Sequence, residues 1–196
     1  MSRKYISLAF LAVLITLFSN CKKTDRNGLI SNQDYYYWAD NTKTYLSLIS
    51  DEFVAVIPEN RLTEIKKLLK EEHIMMEKLS KKDHYLLIAP NKQISEKILT
   101  NHNKFVTLNI IPAFHIQNEK ITPTNEIIIL TNSNARTEEI IQKFNSDILS
   151  YTTYENNVTT IIVKHIKNVC FIANKIYETE SVVVSRPNFL VETVHY

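Results

Sequence analysis

The sequence predicts an α+β protein made of two consecutive units, each with the order strand, helix, strand, strand, helix, strand. Two observations support this prediction. From residue 51 onward, short apolar segments typical of strands take turns with segments in which apolar residues recur every three or four positions, as in helices. The same series then recurs later in the chain at a constant offset, the one that carries position 54 to position 129.

The first unit covers residues 51–120. Leu62, Ile65 and Leu69 recur at helical spacing among charged residues, and Ile94 and Ile98 do so in a second segment. The predicted elements are a strand at 53–58, a helix at 61–73, strands at 74–80 and 84–90, a helix at 92–102 and a strand at 104–116.

The second unit covers residues 124–196, with helices at 136–145 and 168–178. Val169, Ile172 and Ala173, followed by Ile176, form one apolar face on the second of these helices. The single offset matches Val54 with Ile129, Arg61 with Arg136, Ile65 with Ile140, Leu87 with Ile162, Ile88 with Val163, Pro112 with Pro187 and Phe114 with Phe189.

The element order of each unit fits a ferredoxin-like split βαβ arrangement. In that arrangement, two helices cover one face of a four-stranded antiparallel sheet. The other face of the sheet needs water, a partner or the sister unit, and apolar side chains exposed there would indicate an interaction site. The polar segment 118–125, in which Pro123 prevents helical continuation, is predicted to link the units.

The N-terminal residues predict export. Arg3 and Lys4 precede an apolar run at 6–18, which has the length of a secretory signal and is too short to cross a bilayer as a helix. Cys21 follows Ser19 and Asn20, and this segment resembles the lipobox of bacterial lipoproteins in the loose form common among Bacteroidetes. The resemblance implies a signal peptide at 1–20, cleavage before Cys21 and acylation of that cysteine. The alternative is an ordinary signal peptide with an incidental cysteine.

A lipid on Cys21 predicts that the protein lies in the cell envelope, anchored to a bacterial membrane. The expected membrane is the outer one, with the protein on its periplasmic or its surface side. Residues 21–33 are polar and predict a tether, which contains Gly28, the single glycine of the chain. Residues 34–50 predict an N-terminal strand or hairpin, because aromatic and β-branched residues alternate with polar ones.

Charge and cysteine content argue against a nucleic-acid-binding protein and against a disulfide within the mature chain. Without residues 1–20, the chain loses Arg3 and Lys4 from its 23 basic residues and none of its 21 acidic ones, so 21 of each sign remain. A neutral chain without a basic tract does not predict a nucleic-acid partner. Since Cys21 is predicted to be acylated, Cys170 has no partner for a disulfide and is expected to be a small buried apolar residue.

Motifs for catalysis, for cofactors and for metal ions are absent from the sequence. The six histidines include no pair at a ligand spacing of three or four residues, and a chain with one glycine contains no glycine-rich phosphate loop. The acidic pairs Glu71–Glu72 and Glu138–Glu139 lie on predicted helices, where solvated charge is the usual role. The sequence therefore predicts a protein that is not an enzyme and binds no cofactor or metal.

Two segments, "YYYWADNTKTYLSL" at 35–48 and "ANKIYETESVVVSRPNFLVE" at 173–192, resemble a known family. They are similar to the N-terminal prodomain region of Bacteroidetes subtilisin-like serine peptidases. In that family, a helix ending in an "LYxSG" type of sequence leads into a strand and a "PNF" or "PDF" corner. The catalytic domain has no counterpart in the 196 residues, and Glu180 stands where the family has glycine.

The resemblance implies that the sheet of the second unit docks on a subtilisin-like serine peptidase. It further implies that a tail formed by Thr193, Val194, His195 and Tyr196 enters the active-site cleft, with Tyr196 in the specificity pocket. The protein would inhibit the peptidase or assist its folding.

Two other interpretations remain open at this point: a lipoprotein that acts as a binding or assembly module without a peptidase partner, and a remnant of a peptidase gene. The second would fold poorly by itself.

Overall fold

The strands and helices follow the predicted alternation. A computed structural model of the chain describes residues 35–100, 103–105, 107–117, 119–180 and 182–191. The strands are β1 (Tyr36–Ala39), β2 (Thr42–Tyr45), β3 (Ser47–Val56), β4 (Met75–Lys78), β5 (His84–Ile88), β6 (Asn109–Ile116), β7 (Glu119–Leu130), β8 (Ile148–Thr153), β9 (Val158–Val163) and β10 (Val184–Val191). The α-helices are α1 (Leu62–Glu71), α2 (Lys92–Leu99), α3 (Asn134–Lys143) and α4 (Val169–Glu180).

Local sequence explains where two of the helices begin. The side chain of Asn91 accepts a hydrogen bond from the backbone N–H of Ile94 at 3.0 Å, which caps α2. Ser133 caps α3 in the same way, accepting from the N–H of Arg136 at 3.3 Å. Both caps satisfy a backbone donor that has no partner inside its helix.

The strands confirm an α+β protein with antiparallel sheets. β1 and β2 form a separate two-stranded sheet, and the other eight strands form one sheet. Within the first half (residues 47–116) the strand order is β4-β5-β3-β6, and within the second half (residues 119–191) it is β8-β9-β7-β10. The two halves therefore have the same order of corresponding strands, and every pairing is antiparallel.

The predicted offset holds for the last strand of each half but not for the central strands. It carries Asn109, where β6 begins, onto Val184, where β10 begins. In the central strands, however, Phe53 pairs with Leu87 as Ile127 pairs with Ile161, so Phe53 corresponds to Ile127 and Val54 to Ile128. The match of Val54 with Ile129 was therefore wrong by a single position. The error matters because neighbouring residues of a strand point to opposite faces of the sheet.

The predicted linker is also a strand. Glu119 begins β7, which pairs with β6 through Ile121 and with β10 along most of its length. Pro123 lies opposite Phe189, next to an irregularity in the pairing with β10. Proline is accepted in a strand at such a place, since its lack of an N–H removes no regular ladder bond there. Most of the predicted linker, residues 119–125, therefore belongs to the sheet.

The first half has a core of its own. Its helices pack on the sheet face that carries Phe53 and Ala55, together with Leu87 of β5. Ile65 and Leu69 of α1 belong to the same cluster and are 3% and 2% exposed. This packing is the expected consequence of the apolar stripe that the sequence places along α1.

The second half has a core that extends into the first half. Ile127 and Ile129 of β7 pack with α3 and α4, and Val54, Ile111 and Phe114 of the first half belong to the same cluster. Val54 and Ile111 lie on the face that α1 and α2 leave open. The second half therefore covers this face. We call this second core, which contains residues of both halves, the shared core.

Polar groups also join the halves. Asn109 accepts a hydrogen bond from the backbone N–H of Ile166 at 2.8 Å and donates to the carbonyl of Lys164 at 3.1 Å. Two ion pairs cross the contact, Lys81 with Glu126 and Lys120 with Glu52. Glu52 and Glu126 occupy equivalent positions, directly before Phe53 and Ile127, so each half contributes the same carboxylate to the contact.

A buried histidine connects the halves as well. His84 is 2% exposed; its Nε2 accepts the backbone N–H of Asn125 at 3.4 Å, and its Nδ1 lies 2.8 Å from the carbonyl of Lys82. Since Nε2 accepts, Nδ1 carries the proton of the neutral ring and donates to that carbonyl. Burial lowers the pKa of His84 below its ordinary 6.5, and the charge of Lys81 adds to this, while Lys82, Glu126 and Asp83 oppose it.

Acidification below pH 6.5 is expected to destabilise the protein through His84. A lowered folded-state pKa means that the unfolded chain binds the proton more readily, so stability is complete above pH 6.5 and falls as the pH decreases. Urea unfolding at pH 7.5 and pH 5.5 measures this loss, and His84→Gln is expected to remove part of it. An unchanged pH dependence in that variant would contradict the assignment. Titration of Glu126 does not contribute to the difference between pH 7.5 and pH 5.5. Hydrogen bonds from Lys81 and Asn188 outweigh its burial and lower its pKa below 4.5.

One carboxylate joins the two helices of the second half. Glu180 ends α4 with a side chain that is 5% exposed, and it accepts hydrogen bonds from Arg136 at 3.0 Å, from Lys143 and from Thr179. Burial raises the pKa of Glu180, but the hydrogen bonds from Lys143 and Thr179 and the charges of Lys143 and Arg136 outweigh it, so the pKa lies below 4.5.

Glu180→Gln is expected to lower the free energy of unfolding at pH 7 by about 2 kcal/mol, because charge-assisted hydrogen bonds are replaced by neutral ones. The loss should shrink as the pH falls below 4.5, where the native carboxylate also becomes protonated. The matched control is Glu138→Gln, at an exposed position on α3. Equal stabilities of the two variants at pH 7 would show that the contact contributes nothing.

Candidate functional site

The sheet of the second half has one face that is fully buried. Ile127 and Ile129 of β7 and Ile161 and Val163 of β9 are each 0% exposed and pack toward α3 and α4. The side chains between them point the other way, because side chains alternate along a strand.

The opposite face of this sheet is apolar and half-exposed. Directly opposed residues form two rows across the strands, one of Val184, Leu130 and Val158 and one of Arg186, Ile128 and Thr160. Ile162 of β9 continues the surface. We call this surface the open face, and it consists of Ile128, Leu130, Val158, Thr160, Ile162, Val184 and Arg186. Arg186 is exposed, and the others are half-buried.

The equivalent surface of the first half is closed. Leu86, Val54 and Ile111 form the row that corresponds to Thr160, Ile128 and Arg186, and they are 2%, 0% and 1% exposed. Val54 and Ile111 belong to the shared core, in which residues of the second half cover them. In the described part of the chain, nothing covers the open face in the same way, so the two corresponding surfaces differ in exposure.

A charged rim borders the open face. Glu126 lies beside Ile162 in the ladder between β7 and β9. Its carboxylate pairs with Lys81 and accepts a hydrogen bond from Asn188 at 2.8 Å. Arg186 stands at the edge formed by β10. The surface therefore has an apolar centre and charged groups at its border, which is the usual composition of a protein–protein interface.

The N-terminal hairpin adds a groove at one corner of the open face. The groove has a volume of about 570 Å³ and lies between the hairpin end at 38–41 and the side chains of Ile128, Leu130 and Val184. Asp40 and Asn41 form the two-residue hairpin turn and have positive φ angles of 47° and 61°. Asparagine and aspartate tolerate such angles, which two-residue hairpins require.

Aromatic and charged contacts fix the hairpin on α4. Trp38 stacks on Tyr177 with ring centroids 5.2 Å apart. The Tyr36 hydroxyl and the Trp38 Nε1 both donate to Glu178, at 2.9 and 3.1 Å. The ammonium of Lys43 lies 4.4 Å from the centre of the Tyr36 ring. The hairpin is therefore held as a wall of the groove.

On the far side of the same sheet, β8 has an edge that pairs with none of the described strands. β8 ends the strand order of the second half, and its residues after Ile148 are exposed, including Leu149 and Tyr151. The strand β8 carries no charged residue. The equivalent edge strand of the first half, β4, contains Glu77 and Lys78, and charged residues of this kind discourage pairing with other strands.

The predicted site residues have different outcomes. Cys21 and the tail residues Thr193, Val194, His195 and Tyr196 lie outside the described residues. Cys170 is 4% exposed, and burial raises the pKa of its thiol to about 12, which confirms its role as a small buried residue. A thiol with this pKa is not a nucleophile at neutral pH.

The acidic pairs that the sequence singled out form surface ion pairs. Glu72 accepts a hydrogen bond from Lys104 at 2.9 Å, and Glu139 accepts one from Arg136 at 2.7 Å. Among the described residues, there is no group of three or more His, Cys, Asp or Glu side chains that could hold a metal ion. In the same residues, no helix is both long enough and apolar enough to span a membrane.

None of the models of known protein families matches this chain, and no curated protein sequence does so. The resemblance to the prodomain region of subtilisin-like peptidases therefore remains a hypothesis.

Sequence reasoning did not identify the residues of the open face individually. A signal for them exists at 127–130, where three isoleucines and a leucine follow one another without a polar residue. An unbroken apolar run predicts a strand with apolar side chains on both faces. The same run could equally indicate burial on both sides, as in the first half, and the sequence does not distinguish the two cases.

Proposed function

We propose that the protein is a membrane-anchored, non-catalytic partner of a subtilisin-like serine peptidase, which it inhibits or helps to fold. The observation that supports this proposal is the open face of the second half, an apolar sheet surface beside the strand that leads to the predicted tail. The resemblance of residues 35–48 and 173–192 to prodomain sequences specifies the partner.

The proposal includes a fold assignment for the two halves as ferredoxin-like units. Its support is the strand order β4-β5-β3-β6 in one half and β8-β9-β7-β10 in the other, each with two helices on one face. In the ferredoxin-like arrangement the free face of the sheet is the surface available to a partner. The second unit would bind the peptidase through its free sheet face, whereas the first unit packs against the second through the equivalent face.

The predicted tail would contribute specificity. β10 ends at Val191, so residues 193–196 follow the edge strand of the docking sheet directly. An extended tail can form main-chain hydrogen bonds with the walls of a cleft, and Tyr196 would fill a pocket. A nanomolar complex needs about 12 kcal/mol. The short tail cannot supply this, and the open face must contribute to an interface of roughly 1,600 Å² in total.

The lipid on Cys21 would hold the protein at the same membrane as its partner. Residues 21–33 would connect the lipid to the hairpin that begins at Tyr36. A lipid anchor of two or three acyl chains is stable, because each buried methylene contributes about 0.8 kcal/mol. The peptidase would then be a protein of the bacterial envelope, with no nucleic acid or cofactor involved.

Titration of peptidases tests this proposal. The mature chain, carrying Cys21→Ser so that no lipid is attached, would be added to a panel of subtilisin-like serine peptidases while product release is followed. A second chain would end at Glu192, and a third would carry Tyr196→Gly. Inhibition by the first that is strongly reduced in the other two supports the tail mechanism. No inhibition and no assistance in refolding by a folded chain would contradict the proposed function.

The second candidate function is a lipoprotein binding or assembly module without a peptidase partner. A cleft between the halves favours it, because that surface involves neither the tail nor the open face.

The remaining interpretation, a remnant of a peptidase gene, predicts that the mature chain does not fold. Dispersed amide signals in an NMR spectrum of that chain would exclude the remnant.

A further inference from the structure

A cleft lies where the two halves meet, away from the open face. It has a volume of about 480 Å³. The first half contributes Val56 at the end of β3 together with Arg61 and Ile65 at the beginning of α1. The second half contributes Leu149 of β8 and the segment after β9, which contains His165 and Lys167. Pockets for small molecules are often found at such contacts between compact units.

The charge of this cleft has one sign. Its ionisable lining residues are Arg61, Lys164, His165 and Lys167, and no carboxylate is among the described residues that line it. The chain as a whole carries 23 basic and 21 acidic residues, so the basic character is local. A concave surface lined by charges of one sign concentrates ligands of the opposite sign.

Some of these basic side chains are engaged and others are available. Lys164 donates to the carbonyl of Ser146 at 2.7 Å, which holds its ammonium group in place. Arg61 donates to Thr107 at 3.3 Å and lies 3.7 Å from Glu64 at the surface. Among the described residues, the side chains of His165 and Lys167 have no hydrogen-bond or ion-pair partner. They can therefore donate to a ligand without losing an existing contact.

The frame of the cleft is fixed before a ligand arrives. Asn109 bonds to the backbone of Lys164 and Ile166, on either side of His165, at 3.1 and 2.8 Å. Ile166 itself is 0% exposed and belongs to the shared core. The segment that carries His165 and Lys167 is thus held against the first half, so that binding requires little ordering of the backbone.

We propose that this cleft binds a small organic anion, whose carboxylate or phosphate group contacts Arg61, His165 and Lys167. The apolar part of the ligand packs against Val56, Ile65 and Leu149. A planar guanidinium group with two neighbouring cationic or donor side chains suits the oxygen atoms of either headgroup. This site is independent of the open face and does not require a peptidase partner.

An NMR titration tests the site in the mature chain with Cys21→Ser. The probes are phenyl phosphate, phenylacetate and the uncharged benzyl alcohol, each added to ¹⁵N-labelled protein. Saturable shifts of the amides near residues 61 and 164–167 with one or both anions, weakened by raising the salt concentration, are expected. Benzyl alcohol should give no saturable shift, because the headgroup supplies the recognition. A preference between the two anions distinguishes a phosphate ligand from a carboxylate ligand.

Lys167→Glu is expected to weaken binding of the anions about tenfold, since the charge reversal acts directly on the headgroup. Lys175→Glu is the matched control, an exposed lysine on α4 outside the cleft, and should bind as the unmodified chain does. The absence of saturable shifts, an affinity unchanged by Lys167→Glu, or equal binding of benzyl alcohol would each overturn the proposal. None of these results depends on peptidase inhibition.

Discussion

Ile128→Arg is expected to weaken peptidase inhibition by the mature chain at least a hundredfold. Ile128 lies near the centre of the open face, between Arg186 and Thr160 in one row of the sheet. Docking would bury the new guanidinium without a partner, which costs about 3 kcal/mol or more. Because a factor of ten in affinity corresponds to about 1.4 kcal/mol, the inhibition constant should rise by two orders of magnitude or more.

The same substitution should leave the domain folded. Ile128 is only half-buried, and the long arginine side chain can place its charge in water when no partner is bound. The free energy of unfolding is therefore expected to fall by about 1 kcal/mol. Met75→Arg is the control, since Met75 is 60% exposed at the edge strand β4 of the first half. Equal inhibition by the two variants would exclude the open face as the docking surface.

Phe114→Ala is expected to lower the free energy of unfolding by about 3–5 kcal/mol, the usual cost of removing a buried phenylalanine side chain. Phe114 is 0% exposed, and its ring lies 4.8 Å from the ring of Tyr35. It pairs with Leu48 of β3 in the first half and with Ile121 of β7 in the second, so it contacts strands of both halves. Its loss should weaken the contact that joins them.

Two probes can follow this effect. Trp38 is the single tryptophan of the chain and packs against α4, so its fluorescence reports on the second half, whereas far-ultraviolet circular dichroism reports on both halves. The two unfolding curves should coincide in the unmodified protein, because one core is shared. Phe171→Ala, at a position that is 66% exposed, should change the stability little. Separate transitions in the unmodified protein would mean that the halves unfold independently.

The common strand order of the two halves gives a simple physical reason for an open apolar sheet face. Each half has two helices for one face of its sheet, and so leaves the other face without a cover. The second half covers the first through Ile166 and the start of α4, but the first half does not cover the second in return. If the two halves covered each other, neither sheet would have an uncovered apolar face. Among the described residues, the open face of the second half remains uncovered, next to the strand that leads into the predicted tail.

The local pattern of the sequence predicted most of the elements. The spacing of Ile65 and Leu69 predicted α1, and the short apolar run within residues 84–90 predicted β5. These patterns are reliable because the periods of a helix and a strand differ and each period needs only a few residues to be recognised. The order of elements in both halves follows from them. The linker predicted at 118–125 was wrong from residue 119 onward. Pro123 and its polar neighbours resemble a loop, whereas pairing with β6 and β10 makes residues 119–125 part of a strand.

The sequence by itself determined the α+β class, the repeated order of elements and the burial of Cys170. These depend on periodicity and composition along the chain. Only the tertiary structure decided that Val54 and Ile111 are covered while Ile128 and Val184 are not, because both pairs are apolar strand residues with the same local pattern. Which face of a sheet remains open is set by how one half packs on the other, and that contact joins residues far apart in the chain.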